Sequence, residues 1–245
     1  MATKRAARKK PARAKSKRKG QIRPVRWIFV WTLRIGILLT VTAFLVIAAH
    51  SVMTPPKTHY MRQEAKRLGG IDYVWVPYEE ISPVMARAVV AAEDANFCAH
   101  WGFDMAAIRD AIEAGGTRGA STISQQTVKN VYLWHGRSWS RKALEAVITP
   151  VVEIIWSKQR IVEVYMNIAE FDEGVFGVEA ASYHYFGVGP AELTARQASL
   201  LAAVLPNPKK RSASRPSSGV QKRAVSIRDG AATIRRDGRS SCFED

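Results

Sequence analysis

The sequence predicts a mostly α-helical domain behind a single amino-terminal membrane-spanning helix. Residues 27–49 form an apolar run in which Arg34 is the only charged side chain. After residue 80, helix-capping signals recur together with apolar residues spaced three or four positions apart, which is the period of a helix with one buried face. No convincing strand pattern or internal repeat is visible. The 245 residues, of which 47% are hydrophobic, are enough to bury one core.

The positive charge of the chain is concentrated at its amino terminus. The formal net charge is +16, but residues 1–26 hold 12 of the 37 basic side chains and none of the 21 acidic ones. The rest of the chain is therefore only modestly basic. A basic arm can bind nucleic acid, and it is also typical of the cytoplasmic flank of a membrane anchor. The apolar run that follows at once favours a cytoplasmic tail.

Residues 27–49 are long enough to be a transmembrane anchor, because such a helix spans the roughly 30 Å hydrocarbon core of a bilayer. Trp27 and Trp31 suit an interfacial belt, and the side chain of Arg34 can reach the headgroups. A cleaved signal peptide is the alternative, but the apolar run is longer than usual and Ala48-Ala49-His50 is a poor cleavage site. The positive-inside bias then places the amino terminus in the cytoplasm and the following domain in the periplasm.

Helix signals define the domain that follows the anchor. Capping signals stand before four predicted helices, at Ser82-Pro83, at Thr122 with Gln125, at Ser157, and at Thr194 with Gln197. Pro206 and Pro208 end the last of these helices. The predicted domain therefore covers residues 57–208. Residues 209–245 are basic and rich in Ser and Gly, which predicts a largely disordered extension with a weak helix candidate at 224–234.

The two cysteines, Cys98 and Cys242, can pair in an oxidising compartment. Cys242 lies in the segment predicted to be disordered, so the sequence favours two unpaired thiols. Neither cysteine has the spacing of a common metal-binding motif.

Glu93 and Asp94 form an acidic pair at the end of an apolar helical run. Met85, Val89 and Glu93 are four residues apart, so Glu93 continues a buried stripe. Adjacent acids at a helix end are usually solvated or ion-paired, and this is the structural alternative. A carboxylate on a buried stripe either meets a partner or lines a cleft, where desolvation raises its pKa and allows it to act as a base. We expect the nearby His100 to be a structural hydrogen-bonding residue.

A second polar segment begins the helix predicted after Thr122. Its candidate binding residues are Ser121, Thr122, Gln125, Gln126, Lys129 and Asn130. A run of this kind is usually a solvated polar face. Beside a helix amino terminus, however, exposed amides and a lysine are also suitable chemistry for binding an anion such as pyrophosphate.

Arg141, Lys142 and Glu145 form a third charged group. Arg141 and Glu145 are four residues apart, and a surface salt bridge between them is a sufficient structural explanation. Alternatively, the two cations and the carboxylate belong to the same anion-binding site as Lys129.

Taken in order, these segments resemble the signature motifs of the peptidoglycan glycosyltransferases. This family has a lysozyme-like fold and occurs both in bifunctional penicillin-binding proteins and as a monofunctional biosynthetic transglycosylase. The five matching segments are 93–102, 118–130, 141–145, 157–167 and 195–208. Segments 134–139 and 169–171 favour the monofunctional form, and the motifs of a transpeptidase domain are missing from the domain. The link 103–117 is short, so the mobile flap expected there is reduced.

The resemblance implies that the chain polymerises glycan strands. Glu93 would deprotonate the 4-hydroxyl of the acceptor, a lipid-linked disaccharide-peptide, and Glu145 would be the second functional glutamate. Lys129, Arg141 and Lys142 would neutralise the undecaprenyl pyrophosphate that leaves the growing chain. The partners would be this precursor, the nascent glycan, the inner membrane and other cell-wall synthesis or division proteins, with no nucleic acid. No cofactor is required, although Mg²⁺ or Mn²⁺ can share the charge neutralisation.

Three rival classes make different predictions. A lysozyme-like lytic transglycosylase would share the fold and the acidic residue but has no need of cations for a pyrophosphate. A non-catalytic cell-wall scaffold would keep the anchor and tolerate loss of Glu93. A nucleic-acid binder would depend on residues 1–26 alone.

Overall fold

The computed structural model describes residues 24–115, 119–136 and 138–244. The predicted cytoplasmic tail therefore lies almost wholly outside the described residues. The structure is 67% helical, so the prediction of a mostly α protein is confirmed. The chain divides into two compact units, one that ends at Ala43 and one that runs from Phe44 onward.

The first unit carries most of the apolar helix α1 (Pro24–His50). Within the described part of the chain, α1 is the one helix that is long and apolar enough to cross a membrane, judged by length and composition. Near its basic end, the rings of Trp27 and Trp31 lie 6.1 Å apart, and the guanidinium of Arg34 lies 5.5 Å from the Trp31 ring centroid. A cation over an indole at this position suits the membrane interface.

The last turns of α1 belong to the second unit and are fixed there by hydrogen bonds to their backbone. Ile47 is buried, and Trp156 Nε1 donates to its carbonyl oxygen at 2.8 Å. Arg160 donates to the carbonyl oxygens of His50 at 3.2 Å and Met53 at 2.6 Å. Carbonyl oxygens at the end of a helix lack the N–H donor that a following turn would provide, and here the side chains of Trp156 and Arg160 provide it. The chain therefore enters the domain along a defined path.

The second unit contains the helices that carry the candidate site. They are α2 (His59–Leu68), α3 (Pro83–Glu93), α4 (Met105–Glu113), α5 (Ile123–Tyr132), α6 (Trp139–Ile155), α7 (Lys158–Ile168), α8 (Gly177–Phe186), α9 (Ala195–Val204) and α10 (Ser218–Arg236). Both predicted capping boxes and the Ser157 cap are confirmed. Ser82 differs, because its hydroxyl donates to the Leu193 carbonyl at 3.1 Å and does not cap α3.

The core lies where α3, α7 and α9 meet. Met85 and Val89 on α3 are fully buried, as the apolar stripe predicts. Every residue of 198–204 on α9 is buried, and this helix packs against both α3 and α10. Burying a Val or Met side chain stabilises the fold by about 1.5–3 kcal/mol. The end of α3, where the acidic pair stands, is thus attached to the best-packed part of the domain.

Three short strands form a sheet that the sequence does not predict. Strands β1 (Asp72–Tyr73), β2 (Glu170–Asp172) and β3 (Val175–Phe176) have the order β1-β3-β2, parallel between β1 and β3 and antiparallel between β2 and β3. Two or three residues are too few to show an alternating pattern. Gly177, just after β3, has φ +83°, and a Cβ there would lie 2.7 Å from the Asn167 carbonyl oxygen. Only glycine fits this turn.

The prediction of a disordered carboxyl-terminal extension is wrong. Residues after 208 include α10, which packs on α3 and α9 and is capped by Ser217. Its buried residues are Val220, Ala224, Ile227, Ala231 and Ile234. They follow a helical period, but two of the five are alanines, so the apolar signal is weak among the surrounding Lys, Arg and Ser. The domain therefore extends beyond its predicted boundary at 208.

The expectation of two unpaired thiols is also wrong. Cys98 and Cys242 form a disulfide that closes a sequence separation of 144 residues. The expectation failed because the segment after α10 is ordered: Phe243 is buried, its carbonyl accepts from the Tyr78 hydroxyl at 2.6 Å, and Glu244 pairs with Arg87 at 2.6 Å.

Removing the disulfide should destabilise the domain. Cys98→Ala and Cys242→Ala should each lower the free energy of unfolding by about 2–5 kcal/mol, because the unfolded chain loses a constraint over a long loop. Thermal unfolding of the detergent-solubilised full chain under oxidising conditions measures this. The double variant should lose about as much as either single variant, since all three lack the same bond. Additive losses would show instead that the two thiols act separately.

Candidate active site

Glu93, the last residue of α3, is a largely buried carboxylate with two partners. Gln126 Nε2 on α5 donates to its Oε2 at 3.1 Å, and Arg223 Nη2 on α10 lies 3.6 Å from its Oε1. The Glu93 side chain is 15% exposed. Burial raises the pKa of Glu93, while the Gln126 hydrogen bond and the Arg223 charge oppose that rise. The Gln126 hydrogen bond and the Arg223 charge both favour the ionised form of this desolvated carboxylate, which is the form that can accept a proton.

The amide of Gln126 is oriented by a tyrosine. The Tyr165 hydroxyl, buried on α7, donates to Gln126 Oε1 at 3.4 Å, which turns the amide nitrogen toward Glu93. The sequence predicts that Gln126 binds substrate, and in the structure its amide nitrogen donates to the carboxylate of Glu93. Its nitrogen also reaches the carbonyl of the exposed Ser121, at 3.4 Å. Gln126 therefore connects the predicted base with the start of α5.

Asp94, the neighbour of Glu93, has a different environment and joins two helices. Its Oδ2 accepts from the backbone N–H of Ile123 in the first turn of α5 at 3.0 Å. Its Oδ1 lies 2.8 Å from His100 Nε2, and His100 Nδ1 accepts from Gly102 N at 3.2 Å. Because Nδ1 is an acceptor, the proton is on Nε2 and is donated to Asp94. The expectation that His100 is structural agrees with this arrangement.

Thr122 and Gln125 are engaged with the protein itself. Both are buried, and Gln125 Oε1 accepts from Thr122 N at 3.1 Å while Gln125 N donates to the Thr122 hydroxyl oxygen at 3.2 Å. The Thr122 hydroxyl donates to the Gly102 carbonyl at 2.7 Å. Gly102 has φ +86°, and a Cβ there would lie 2.6 Å from Thr149 Cγ2. These polar atoms of Thr122 and Gln125 are thus occupied within the protein, and substrate contact stays a prediction for both residues, as it does for Ser121, Gln126, Lys129 and Asn130.

Lys129, on α5, has no hydrogen-bond or ion-pair partner for its ammonium among the residues that the structure describes. It lines a cavity of about 410 Å³ together with Gln126, Asn130, His135 and Tyr165. Burial lowers the pKa of Lys129, and the charges of Glu145 and Glu93 oppose this. A partly buried ammonium without a counter-ion favours an anionic ligand.

Arg141, Lys142 and Glu145 form an ion-paired triad on α6. Arg141 Nη1 lies 2.6 Å from Glu145 Oε2, and the Lys142 ammonium contacts Glu145 Oε1. Glu145 is 2% exposed, whereas the Lys142 side chain is 42% exposed. Arg141 Nε also donates to the Gly136 carbonyl at 3.1 Å, which ties the preceding loop to the helix. The salt bridge that the sequence offers as a structural explanation is formed, and the anion-binding role of this group stays a prediction.

His135 and Tyr60 belong to the same cavity and have no role in the sequence-based site. His135 Nε2 lies 3.0 Å from Asn130 Oδ1, and the rings of His135 and Tyr60 are 4.0 Å apart. Burial, with the nearby charges of Lys129 and Arg141, lowers the pKa of His135 to about 4. His135 is therefore neutral at pH 7 and offers a polar wall without charge. His135 lies in segment 134–139, which resembles the monofunctional form of the family. Nothing local in the sequence predicts that its ring turns back toward Asn130.

Comparison with known proteins agrees with this geometry. A family model described as Transglycosylase matches residues 62–231. Three curated proteins named "Biosynthetic peptidoglycan transglycosylase" are similar over most of their length. The protein of Jannaschia sp. (strain CCS1) is 62% identical over 89% of this chain and 90% of its own. Those of Rhodospirillum centenum and Caulobacter vibrioides are each 45% identical, over 86% and 83% of this chain and 95% and 94% of their own.

The family match covers α2 to most of α10 and includes Glu93, Lys129, Glu145 and Arg223. The fold expected from the sequence, a lysozyme-like domain, is that of this family. The chain therefore belongs to the transglycosylase family and is a peptidoglycan glycosyltransferase of the monofunctional kind.

Proposed function

We propose that the chain transfers a growing lipid-linked glycan onto the 4-hydroxyl of a lipid-linked disaccharide-peptide and releases undecaprenyl pyrophosphate. The observation that carries this proposal is that Gln126 of α5 joins two groups: its amide donates to the largely buried carboxylate of Glu93 on α3, and it lines a cavity with Lys129, whose ammonium has no partner within the described residues. A base and an anion site side by side match a reaction in which a hydroxyl attacks and a pyrophosphate leaves.

Glu93 is the proposed general base. It takes the proton of the acceptor hydroxyl as that oxygen forms a bond to the anomeric carbon of the donor, whose configuration inverts. Gln126 holds the accepting carboxylate in place through its 3.1 Å hydrogen bond. Glu93 must be ionised to act, so activity should fall at low pH, and burial raises the pH at which this happens.

Lys129 is the proposed partner of the leaving pyrophosphate, with Lys142 as a second, more exposed cation. The charge on the leaving oxygen grows in the transition state, so a cation there lowers the barrier more than it strengthens ground-state binding. Arg141 and Glu145 act on this group indirectly, because their ion pair is closed within α6 and fixes the Gly136 loop.

Two features argue against the lytic transglycosylase and the non-catalytic scaffold. They are Lys129, whose ammonium has no partner within the described residues, and the desolvated carboxylate of Glu93. Hydrolysis or rearrangement of finished glycan releases no pyrophosphate and gives such a cation no task. A scaffold has no use for a desolvated carboxylate that costs stability. Within the described residues, no group of three or more His, Cys, Asp and Glu side chains gathers where a metal ion could be held, and a role for Mg²⁺ or Mn²⁺ stays an untested prediction.

We also propose that the domain lies on the periplasmic side of the inner membrane. The apolar helix α1 follows a strongly basic segment, which favours a cytoplasmic amino terminus. The Cys98–Cys242 disulfide supports this independently, because structural disulfides persist in oxidising compartments and are rare in the cytosol.

Replacing the general base should abolish polymerisation without unfolding the protein. Glu93→Gln keeps the size of the side chain but cannot accept the proton, so turnover of lipid-linked disaccharide-peptide should fall about 10²–10⁴-fold. Gel analysis of glycan products measures the rate, and the melting temperature should stay unchanged or rise slightly. Near-normal turnover in the folded variant would remove Glu93 from this role.

Lys129 should matter for turnover and little for folding. Lys129→Ala should lower turnover about 10²-fold or more, while its melting temperature should hardly change because its ammonium makes no hydrogen bond or ion pair within the described residues. Arg141→Ala should lower both, since it leaves the buried Glu145 with one cation and costs about 3–5 kcal/mol. Lys66→Ala, which removes an exposed lysine of α2, is the control. Full activity in a folded Lys129→Ala protein would contradict the leaving-group assignment.

The topology can be read with fusions. A reporter that is active only in the periplasm, joined after residue 60, should be active, because residues from about 50 onward are expected outside the membrane. The same junction with a cytoplasm-only reporter should be silent. Activity of the cytoplasmic reporter would reverse the orientation.

A further inference from the structure

Arg223 brings a guanidinium to the catalytic carboxylate from a helix outside the five motif segments. Its Nη2 donates to the carbonyl of Ala92 at 3.2 Å and lies 3.6 Å from Glu93 Oε1. Its Nε is buried and has no hydrogen-bond partner within the described residues. The side chain is 37% exposed, so the guanidinium lies at the edge of the site and not in the core. One arginine thus contacts both the peptide that precedes Glu93 and the carboxylate itself.

The helix that carries Arg223 is fixed against α3 at several points. The buried residues of α10 pack on α3 and α9, and beyond it Cys242 is bonded to Cys98. Arg87 of α3 pairs with Glu244 at 2.6 Å, with both side chains largely buried. The backbone of Arg223 therefore keeps its place relative to α3. The hydrogen bond from Arg223 Nη2 to the Ala92 carbonyl then holds the guanidinium 3.6 Å from the carboxylate of Glu93.

We propose that Arg223 is a positioning residue for catalysis, which keeps the carboxylate of Glu93 ionised and turned toward Gln126 before the acceptor hydroxyl is deprotonated. This inference rests on Glu93 being the general base. Arg223 does not exchange a proton in the reaction. The proton moves from the acceptor hydroxyl to Glu93, the hydroxyl oxygen bonds to the anomeric carbon, and the bond electrons leave with the pyrophosphate.

The physical need for such a residue follows from the burial of Glu93. Desolvation favours the neutral acid, which cannot accept a proton. Besides Arg223, the charged or titratable groups that face Glu93 are Asp94 on its own helix, Lys129 on α5 and Tyr165 on α7. Asp94 raises the pKa of Glu93 further and Lys129 lowers it. Lys129 is committed to the departing pyrophosphate in the proposed reaction, so Arg223 is the cation that remains for Glu93.

The competing explanation is that Arg223 only clamps α10 to α3 through the Ala92 carbonyl. The two explanations differ in how activity depends on pH. Loss of a clamp lowers activity by a similar factor at every pH. Loss of a charge beside the base moves the acid limb of the rate profile to higher pH, and activity recovers above it.

The test is the pH dependence of kcat/KM for polymerisation by the full-length enzyme in detergent. For Arg223→Gln the acid limb should move up by about one pH unit, which is about tenfold in rate below the limb, and the rates should converge with those of wild type at alkaline pH. Arg223→Lys should keep the limb close to the wild-type position because it keeps the charge. Lys222→Gln, which removes the exposed neighbouring charge on α10, should leave the profile unchanged.

Three results would overturn the inference. A loss of activity that is equal at all pH values would assign Arg223 to the clamp. A rise of KM with an unmoved acid limb would assign it to substrate binding. If Arg223→Gln does not fold, the folded Arg223→Lys variant becomes the test. A shift of its acid limb by about one pH unit would show that the positive charge is not what matters. If Glu93→Gln is inactive, any of these three results leaves the proposed function intact. If Glu93→Gln is active, both the role of Glu93 as base and the role of Arg223 are contradicted.

Discussion

The geometry of the site depends on the junction that Asp94 makes between α3 and α5. One carboxylate oxygen accepts from the first turn of α5 and the other from His100, so the end of α3 and the start of α5 are held together by a hydrogen bond. An anion at a helix amino terminus is favoured both by the free N–H groups and by the helix dipole. Because Glu93 precedes Asp94 and Gln126 follows Ile123 in the chain, this junction also sets the distance between the Glu93 carboxylate and the Gln126 amide. Gly102 allows the intervening loop to pass close to α6.

The acidic pair therefore shows how two adjacent carboxylates divide their tasks. Asp94 has its hydrogen bonds filled by protein groups and is structural. Glu93 is desolvated, with one hydrogen bond and one ion pair, and is left able to change its charge. The cations follow the same division, since Arg141 is held by Glu145 and a backbone carbonyl while Lys129 has no partner in the described part of the chain. The groups left incompletely satisfied are the ones expected to meet substrate.

Much of the fold follows from local signals in the sequence. The helices with strong caps and continuous apolar stripes, such as those after Thr122, Ser157 and Thr194, begin where the sequence places them. The failures share one cause, which is that their stabilising partners are distant in sequence. The short strands exist because Val175 and Phe176 pair with both Asp72–Tyr73 and residues 170–172, and α10 is ordered because α3 and α9 cover its small apolar residues. Within the candidate site, local sequence signals predict Glu93, Gln126 and Lys129. They do not predict that Arg223, Tyr165 and His135 lie beside these residues, because that placement comes from tertiary contacts.

The disulfide has a consequence for how the enzyme matures. Cys242 follows α10, the last helix in the described residues, so under the proposed periplasmic topology the bond forms only after the whole domain has been synthesised and exported. The bond also joins the segment just after Glu93 to the segment just after the helix of Arg223. Under the proposed topology, a chain halted partway across the membrane would carry Glu93 and Lys129 but neither the disulfide nor the guanidinium that lies beside Glu93.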